Sequence, residues 1–468
     1  MCDCDNETDP QVNATVTSVN WDALSTIACT LQQVTGADWG DQFDGGYNLV
    51  RLLHLHNQQN TVIVARIPLR PTDGWDSESS RVVSSRIASE VATMQYIETY
   101  TNIPIPLIIH HSIDADGGGV HSPYILMSKV DGEPLSSVWD TMEDAKRDVV
   151  LRQVVDILLE LSSCRFDKIG ALFSTGNATW DIQPMAFRDP DLINQHAIQK
   201  TTYTSGTDYW IAIANANIEN ICQNNFGGGS KDVAYAEAWF MRSLIPALYN
   251  PELDAAGFPL DHGDFHSQNI MVTDVESNHP QITAIIDWEY SATTPTSSFA
   301  QYPLFIVDHP MWEDDNILRA RNIRDQSAFD KFMREAERTR NPTGGQPISR
   351  AYANCLGVYL FEQCLCYPIS PPLRQLYAYV FGDTETFKFN YLSALMDNGL
   401  LKKKAQRLQA ERHVWCEASD TLGKELVSQD LSRSAFKALV LEHRDQFAVG
   451  RKVLQWLATE ERCPFSGL

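Results

Sequence analysis

Short apolar runs in the first third of the chain alternate with turn-forming residues, whereas later apolar residues recur every three or four positions. The first pattern predicts strands of a small five-stranded sheet, and the second predicts amphipathic helices. The predicted strands include Leu49–His56, Thr61–Leu69, Leu107–His111 and Tyr124–Val130. Helices are also predicted later in the chain, at Asp144–Ser163, Asp232–Tyr249, Pro372–Phe381, Phe387–Arg412 and Phe447–Glu460. The segment Thr175–Gly229 is expected to be an insertion of helices and loops, so we expect a strand-rich part followed by a helical part.

The segments around the predicted sheet have a different character. Met1–Val19 is acidic and polar, which favours a loose tail, and Trp21–Val34 has the spacing of a short leading helix. Arg81–Tyr100 is a strong amphipathic helix, and Glu90 falls on its apolar stripe. A carboxylate there needs a buried partner, unless it lies at the margin of the stripe and reaches solvent.

The most informative stretch is Asp261–Tyr290. It contains two short apolar runs, Ile270–Thr273 and Ile282–Ile286, on either side of a cluster of turn formers. This pattern predicts an antiparallel hairpin. Asn269 stands just before the first strand and Asp287 just after the second, and paired antiparallel positions lie about 5 Å apart between their Cα atoms. We therefore expect the two side chains to meet at the open end of the hairpin.

An amide oxygen and a carboxylate oxygen at one point suit Mg²⁺, which prefers oxygen ligands and usually completes its shell with phosphate and water. Asp264, five residues before Asn269, can accept a proton from a hydroxyl nucleophile. The spacing of Asp264, Asn269 and Asp287 together predicts a phosphoryl-transfer site. The alternative interpretation is an ordinary hairpin preceded by an Asx-type turn.

Composition excludes some classes of protein. The 468 residues carry a formal net charge of -23, which argues against a nucleic-acid partner because phosphate contacts need clustered Lys and Arg. The acidity suits a cationic substrate or serves solubility alone. No Lys or Arg precedes Arg51, and no apolar run approaches the ~18 residues of a membrane span, so we expect a cytoplasmic protein without membrane partners.

The 10 cysteines do not have the spacing of a disulfide framework or of a zinc site in a chain of this length, and reduced, mostly buried thiols are expected. Three consecutive acidic residues, Glu313, Asp314 and Asp315, are interpreted as a solvated charged run, with contact to a cationic acceptor as the alternative.

Two features of the first part bear on nucleotide binding. Gly45 and Gly46 precede a strand, and glycines allow backbone N–H groups to approach phosphates, although Gly-Gly before a strand also occurs in an ordinary turn. Arg66 is the charged residue within the apolar run V-I-V-A-R-I-P. Arginine can bind phosphate through its planar fork.

The motifs H-G-D-F-H-S-Q-N and I-I-D-W-E resemble the catalytic loop and metal-binding motif of the aminoglycoside phosphotransferase family. D-W-E-Y-S also resembles the corresponding element of choline and ethanolamine kinases. The resemblance implies an α+β, protein-kinase-like fold of two lobes, with a small mixed β-sheet N-lobe and a mainly helical C-lobe. It divides the chain into residues 1–36 as tail and leading helix, 37–130 as nucleotide-binding lobe and 131–468 as helical lobe.

The resemblance also assigns roles around the hairpin. Asp264 matches the catalytic aspartate, and His262 matches a residue that braces the loop. Asn269 and Asp287 match the ligands of Mg²⁺. Glu289 is left with two interpretations, contact with metal or acceptor and a plain salt bridge.

Further roles concern the nucleotide. Arg66 stands where kinase-like proteins usually have the phosphate-binding lysine, and Glu90 matches the helix glutamate that pairs with this cation. Gly45 and Gly46 lie upstream of the hairpin, where a turn that approaches the nucleotide phosphates is expected, but their loop is atypical for the family. Met127 to Val130 matches the hinge between the lobes, where backbone groups of Ser128 and Val130 bind adenine.

The function implied is transfer of the γ-phosphoryl group of ATP to a hydroxyl of a small molecule, with Mg²⁺ as cofactor. The arginine at position 66 keeps a second interpretation open, a pseudokinase that binds nucleotide without transfer. A protein kinase fits less well, because H-G-D lacks the arginine of H-R-D and neither D-F-G nor an A-P-E-like signal is found. The catalytic motifs do not distinguish between aminoglycoside, choline-like, sugar and other acceptors.

Overall fold

A computed structural model describes residues 9–114, 116, 118–176, 178–185, 200–222, 231–307, 318–342, 344–345, 347–353, 355–366, 375–376 and 379. The helices in this part of the chain are α1 (Pro10–Ser18), α2 (Trp21–Gln32), α3 (Ser77–Tyr100), α4 (Asp144–Ser163), α5 (Gly206–Cys222), α6 (Lys231–Leu248), α7 (Thr296–Phe299), α8 (Leu318–Arg340), α9 (Pro347–Tyr352) and α10 (Cys355–Cys366). The strands are β1 (Ala37–Asp44), β2 (Asn48–Leu55), β3 (Val62–Pro68), β4 (Ile108–Ser112), β5 (Tyr124–Ser128), β6 (Glu133–Pro134), β7 (Arg165–Phe166), β8 (Ala171–Gly176), β9 (Thr179–Gln183), β10 (Phe258–Asp261), β11 (Ile270–Thr273), β12 (Gln281–Ile285) and β13 (Ala292–Thr293).

The described residues fall into two compact units. The first lies within Met1–Cys164, Ala171–Phe187 and Leu260–Thr293, and the second lies within Arg165–Gly170, Arg188–Pro259 and Thr294–Leu468. The five-stranded sheet and the hairpin β11–β12 both belong to the first unit. The second unit contains α5 to α10, so the predicted change from strands to helices is confirmed.

The five strands predicted for the first part form one sheet with the order β1-β2-β3-β5-β4. The α+β fold class is therefore confirmed. A mixed sheet was expected, but all four pairings are antiparallel. The reason lies in the connection after α3, because β4 and β5 form a hairpin and β5 takes the place beside β3. Helix α3 connects β3 to β4, and such a crossover usually places the two strands side by side and parallel. Here β5 lies between them, so β4 is the edge strand.

Strand β5 carries helices on both of its faces. Tyr124 and Leu126 belong to a buried cluster with α1 and α2, whereas Ile125 and Met127 pack against the apolar stripe of α3. Successive side chains of a strand point to opposite faces, so an unbroken apolar run is what a strand covered on both sides requires. The sheet is thus held between the leading helices and α3.

The loose tail expected for Met1–Val19 is wrong for Pro10–Ser18, which forms α1. The side chain of Asp9 accepts a hydrogen bond from the Gln11 N–H, and Pro10 occupies the first helical turn, which are two standard helix-starting features. Val12 and Val19 are buried in the same cluster as the sheet. Few but well-placed apolar residues are therefore sufficient to dock a polar segment.

The hairpin predicted from Ile270–Thr273 and Ile282–Ile286 is present as β11 and β12, with β6 on the other side of β11. Helix α4 supports it through Gln153, whose Nε2 donates to the Pro280 carbonyl at 2.9 Å. The Gln153 Oε1 accepts a hydrogen bond from the Ile282 N–H, also at 2.9 Å. One half-buried amide therefore fixes the start of β12.

Some expectations for the helical part change or fall outside the described residues. The segment 175–229 was expected to consist of helices and loops, and its described residues also contribute to the hairpin β8–β9. The predicted helices Pro372–Phe381, Phe387–Arg412 and Phe447–Glu460 and the charged run at Glu313 lie outside the described residues, apart from a few positions of the first. Within the described part, no helix has the length and apolar character needed to cross a membrane.

We predict that Gln153→Met lowers the free energy of unfolding by about 1 to 3 kcal/mol, because it leaves the Ile282 N–H without its acceptor. Urea denaturation followed by fluorescence measures this change. Gln32→Met, at the exposed end of α2, is the matched control and should change stability by less than about 0.5 kcal/mol. Equal stability of the two variants would contradict the bracing role of Gln153.

Candidate active site

The loop between β10 and the hairpin begins with a close backbone approach. Gly263 has a φ of 78°, and a Cβ at this position would lie 2.2 Å from the Tyr290 carbonyl oxygen. Both the left-handed conformation and the lack of space require glycine. The loop that carries Asp264 is therefore pressed against the segment that follows β12.

His262 connects the same two segments through its side chain. Its Nε2 lies 3.0 Å from the Ile286 carbonyl oxygen and donates to it, and its Nδ1 accepts from the Asp264 N–H at 3.3 Å. This pair of contacts defines a neutral imidazole with the proton on Nε2. Burial lowers the pKa of His262 to about 4, so the ring stays neutral near pH 7. Its ring centroid lies 4.5 Å from that of the fully buried Trp288.

Asp264 has a partly exposed carboxylate with two close neighbours. Its Oδ2 lies 3.3 Å from His266 Nε2 and 3.4 Å from Asn269 Nδ2. Burial by itself raises the pKa of Asp264, but the hydrogen bond and charge of His266 outweigh it, and the pKa falls below its ordinary value. Asp264 is thus an ionised carboxylate whose orientation is fixed through one of its oxygens.

His266 is a further residue of the site that was not predicted from the sequence. The ring caps the short turn Ser267–Asn269, because its Nδ1 accepts from the Gln268 N–H at 3.1 Å. The other nitrogen is then left to donate to Asp264, and this contact raises the pKa of His266. The available signal was its position two residues after Asp264, which is close enough for contact in a tight loop.

Asn269 and Asp287 lie at the open end of the hairpin, as expected, but they are not directly opposite each other. Ile270 pairs with Ile285, and the Ile286 N–H donates to the Asn269 carbonyl at 2.9 Å. Asp287 follows one position later with a φ of 67°, a conformation that disfavours residues other than glycine. This left-handed residue ends the strand and changes the chain direction at the site.

The two side chains suit Mg²⁺ by the chemistry of their donors. Asn269 Nδ2 donates to the Asp264 carbonyl at 3.0 Å, which leaves the amide oxygen at the other end of the group. Asp287 is 35% exposed at its side chain and uses Oδ1 for an ion pair. Among the described residues no group of three or more His, Cys, Asp or Glu side chains could hold a metal. The donor chemistry of the pair, one amide oxygen and one carboxylate oxygen, fits a cation whose other ligands are phosphate and water.

Arg66 of β3 is a buried cation surrounded by carboxylates. Its Nη1 pairs with Glu90 of α3, the partner that the resemblance implies. Its Nη2 lies 2.5 Å from Asp287 Oδ1 and 3.0 Å from Glu289 Oε2. Burial would lower the pKa of Arg66, but the three carboxylates together raise it, so the guanidinium stays charged.

Glu90 and Glu289 share this cation and are both almost fully buried. Burial is the main cause that raises the pKa of Glu90 to about 7, and the negative charges of Glu289 and Asp287 raise it further. The positive charge of Arg66 lowers this pKa but does not outweigh them. Glu289 also lies 3.6 Å from Arg86 Nε and accepts from Asn48 Nδ2 at 2.9 Å. Of the two interpretations left open for Glu289, the described contacts favour the salt bridge.

The glycine turn and the hinge have their own backbone bonds. The Gly45 N–H donates to the Asn48 carbonyl at 2.9 Å, so this amide is used inside the turn, whereas a Cβ at Gly46 would meet nothing within 4 Å.

At the hinge, the Ser128 N–H donates to the Leu107 carbonyl at 2.9 Å. The Ser128 N–H is therefore used within the sheet. Met127 is buried and Val130 half-buried.

Parts of this chain are similar to known proteins. A family model described as "Phosphotransferase enzyme family" matches residues 76–297, a range that contains Glu90 and the whole catalytic hairpin, whereas Gly45, Gly46 and Arg66 precede it. A subtelomeric hrmA-associated cluster protein of Aspergillus fumigatus is 30% identical over 154 residues, 33% of this chain and 28% of that protein. "Altered inheritance of mitochondria protein 9, mitochondrial" of Saccharomyces cerevisiae is 29% identical over 129 residues, 26% of this chain and 20% of that protein. The matches thus span less than a third of these relatives.

Similar solved structures include the GDP complex of wild-type aminoglycoside 2'-phosphotransferase-IIIa, with 13% identity, a TM-score of 0.40 and coverage of 86% of this chain and 99% of that one. A thermostable mutant of aminoglycoside phosphotransferase APH(4)-Ia, in ternary complex with AMP-PNP and hygromycin B, has 14% identity, a TM-score of 0.39 and coverage of 85% and 98%. The family model and the motifs H-G-D-F-H-S-Q-N and I-I-D-W-E fall on the same residues. Residues 76–297 therefore match the phosphotransferase enzyme family, in agreement with the motifs.

Proposed function

We propose that the protein transfers the γ-phosphoryl group of ATP to a hydroxyl group of a small molecule. The observation that carries the proposal is the fixed, ionised carboxylate of Asp264, held by His266 and Asn269 at the open end of the hairpin. An ionised carboxylate at this position can receive the proton of an attacking hydroxyl. The family match over residues 76–297 supports the same class of reaction.

Asp264 is the proposed catalytic residue. One carboxylate oxygen is engaged with His266 and Asn269, and the carboxylate orients the acceptor hydroxyl and takes its proton as the new O–P bond forms. ADP leaves as the bond between the β,γ-bridging oxygen and the γ-phosphorus breaks. His262 does not exchange protons in this scheme, since its neutral ring links the loop to Ile286.

Asn269 and Asp287 are the proposed ligands of Mg²⁺. When bound, this cation supplies charge neutralisation at the transferring phosphoryl group. The residues themselves contribute a preset position: the Asn269 amide is oriented by the Asp264 carbonyl, and Asp287 is held by Arg66. Their fixed orientation reduces the rearrangement needed when the nucleotide enters.

Arg66, held by Glu90, is the proposed phosphate-binding cation of a nucleotide-binding lobe formed by residues 37–130. Its fork engages Glu90 through Nη1, so Nη2 can exchange Asp287 or Glu289 for a phosphate oxygen while the pair with Glu90 persists. Gly46 offers an open backbone at the turn, and the hinge at Met127, Ser128 and Val130 is proposed to receive the adenine base.

The acceptor is assigned only as a small molecule with a hydroxyl group. In this proposal the helical part of residues 131–468 selects it, because the catalytic residues touch only the reacting oxygen. A cytoplasmic location, independent of membranes and nucleic acid, is part of the proposal and rests on composition and charge. Aminoglycosides, choline-like alcohols and sugars are the acceptor classes to be screened.

A second candidate is a pseudokinase that binds nucleotide without transfer. The observation that favours it is the engagement of Arg66, the residue in the usual lysine position, with three carboxylates. Thermal stabilisation of the protein by ATP·Mg, without ADP release across a broad acceptor panel, would support this candidate. Acceptor-dependent ADP release would exclude it.

We predict that Asp264→Asn lowers phosphoryl transfer by at least about a hundredfold, because the amide cannot accept the proton. Binding of ATP·Mg should stay within about threefold of the wild-type value, since Asp264 is not a proposed metal ligand. ADP release and titration calorimetry measure the two quantities. Asp274→Asn, in the exposed turn of the same hairpin, is the matched control. Unchanged turnover in Asp264→Asn would defeat the assignment.

We predict that Arg66→Lys lowers turnover about tenfold, because a single ammonium cannot hold Glu90 and the phosphate-facing carboxylates at the same time. The effect is measured as kcat in the same ADP-release assay, with circular dichroism to verify folding. Arg81→Lys changes an exposed arginine of α3 that pairs with Glu78, and should leave kcat unchanged. Turnover of Arg66→Lys at or above the wild-type rate would show that the guanidinium fork is not needed.

A further inference from the structure

The turn between β1 and β2 contacts the segment that follows the catalytic hairpin. Asn48, at the start of β2, donates from Nδ2 to Glu289 Oε2 at 2.9 Å, across 241 positions of the sequence. Glu289 is 3% exposed, so this hydrogen bond is shielded from water on the carboxylate side. A hydrogen bond to a buried charge is stronger than one between neutral groups. Asn48 is therefore more than a residue of the turn.

Two arginines fix the acceptor of this hydrogen bond. Glu289 Oε2 lies 3.0 Å from Arg66 Nη2 and 3.6 Å from Arg86 Nε. Arg66 belongs to β3 and Arg86 to α3, so the carboxylate is positioned by two rigid elements of the same unit. Asn48 consequently bonds to a group whose position does not depend on the turn itself.

A second contact joins the same two segments independently of Asn48. The rings of Tyr47 and Tyr290 meet edge to face, with centroids 5.8 Å apart and planes at 74°. The Arg86 guanidinium carbon lies 5.7 Å from the Tyr47 ring centroid, in the range of cation–π attraction. Consecutive residues of the turn thus contact consecutive residues of the segment, Tyr47 with Tyr290 and Asn48 with Glu289.

The glycines of the turn cannot provide this restraint themselves. Gly45 and Gly46 have no side chains to pack, and a Cβ at Gly46 would meet no atom within 4 Å. Adjacent glycines have high conformational freedom, so a turn that contains them is easily displaced. The Gly45 N–H bond to Asn48 closes the turn but does not attach it to the rest of the site.

We propose that Asn48 and Tyr47 are positioning residues for the nucleotide, because they hold the Gly45–Asn48 turn against Glu289 and Tyr290 before ATP·Mg binds. This inference rests on the proposed function and deepens it. Holding the turn keeps it against the segment that follows β12, which also carries the proposed metal ligand Asp287, so the phosphates enter a preformed site. If the turn were free, only the fraction of molecules with the turn in place would bind, and the apparent Kd would rise by the inverse of that fraction.

The first experiment compares Asn48→Ala with Asn57→Ala. Asn57 is also half-buried, but it stabilises the β2–β3 turn at the other end of β2, where its Oδ1 accepts from the Thr61 N–H at 3.0 Å. Amide hydrogen exchange of the ligand-free protein reports whether the β1–β2 turn is held. Titration calorimetry with ATP·Mg reports whether holding it matters.

We expect exchange of the Gly45 N–H, which donates to the Asn48 carbonyl, to become about tenfold faster in Asn48→Ala and to stay at the wild-type rate in Asn57→Ala. The Kd for ATP·Mg should rise by about tenfold in Asn48→Ala and remain unchanged in the control. A general loss of stability would not produce this pattern, since it would affect exchange across the sheet in both variants.

A charge test adds a rescue. Asn48→Asp places a carboxylate against Glu289 and should weaken ATP·Mg binding more than Asn48→Ala does. The double variant Asn48→Asp with Glu289→Gln restores an amide–carboxylate pair with the partners exchanged, and its Kd should fall below that of Asn48→Asp. Failure of the double variant to recover any affinity would overturn the pairing of these two residues.

The outcomes separate this inference from the function on which it rests. If the wild-type protein binds no nucleotide, the proposed function and the positioning role are both overturned. If the wild-type protein binds ATP·Mg and Asn48→Ala binds it equally well, only the positioning role is overturned, whatever happens to amide exchange. Faster exchange together with weaker binding, specific to Asn48, supports the role.

Discussion

The burial of one positive charge is the constraint on which the site depends. Arg66 is buried in β3, and a buried guanidinium is stable only where carboxylates surround it. Glu90 from α3 and Asp287 and Glu289 from the segment after β12 supply those carboxylates. A helix, a strand and a loop that are far apart in the sequence must therefore meet at a single side chain.

Charge balance in this cluster bears on cofactor binding. Two arginines, Arg66 and Arg86, face three carboxylates, so the cluster has one negative charge in excess when Glu90, whose pKa is about 7, is ionised. Asp287 is the most exposed of the three carboxylates and the one adjacent to Asn269. The excess negative charge of the cluster therefore favours binding of a divalent cation at Asp287, which is also the carboxylate that solvent reaches most easily.

The sequence predicted those parts of the site that depend on short spacing. Asp264, Asn269 and Asp287 could be placed because they bracket one hairpin, whose strands were recognisable from apolar runs and turn residues. The Arg66–Glu90 pair needed the resemblance to a known family, since a strand and a helix 24 positions apart give no local signal. The Asn48–Glu289 hydrogen bond could not be predicted, because a separation of 241 residues leaves no pattern in a single sequence. The antiparallel pairing of all strands in the five-stranded sheet could not be predicted either, because an apolar run does not show which strand will lie beside it.

The two leading helices have a consequence for the handling of the protein. Val12, Val19, Leu24 and Ala28 cover a face of the sheet to which Leu49 and Leu53 contribute. A shortened protein that began at the first strand would present this apolar face to solvent, and such a surface promotes self-association. The N-terminal residues from Pro10 onward are thus a part of the fold that recombinant expression has to retain.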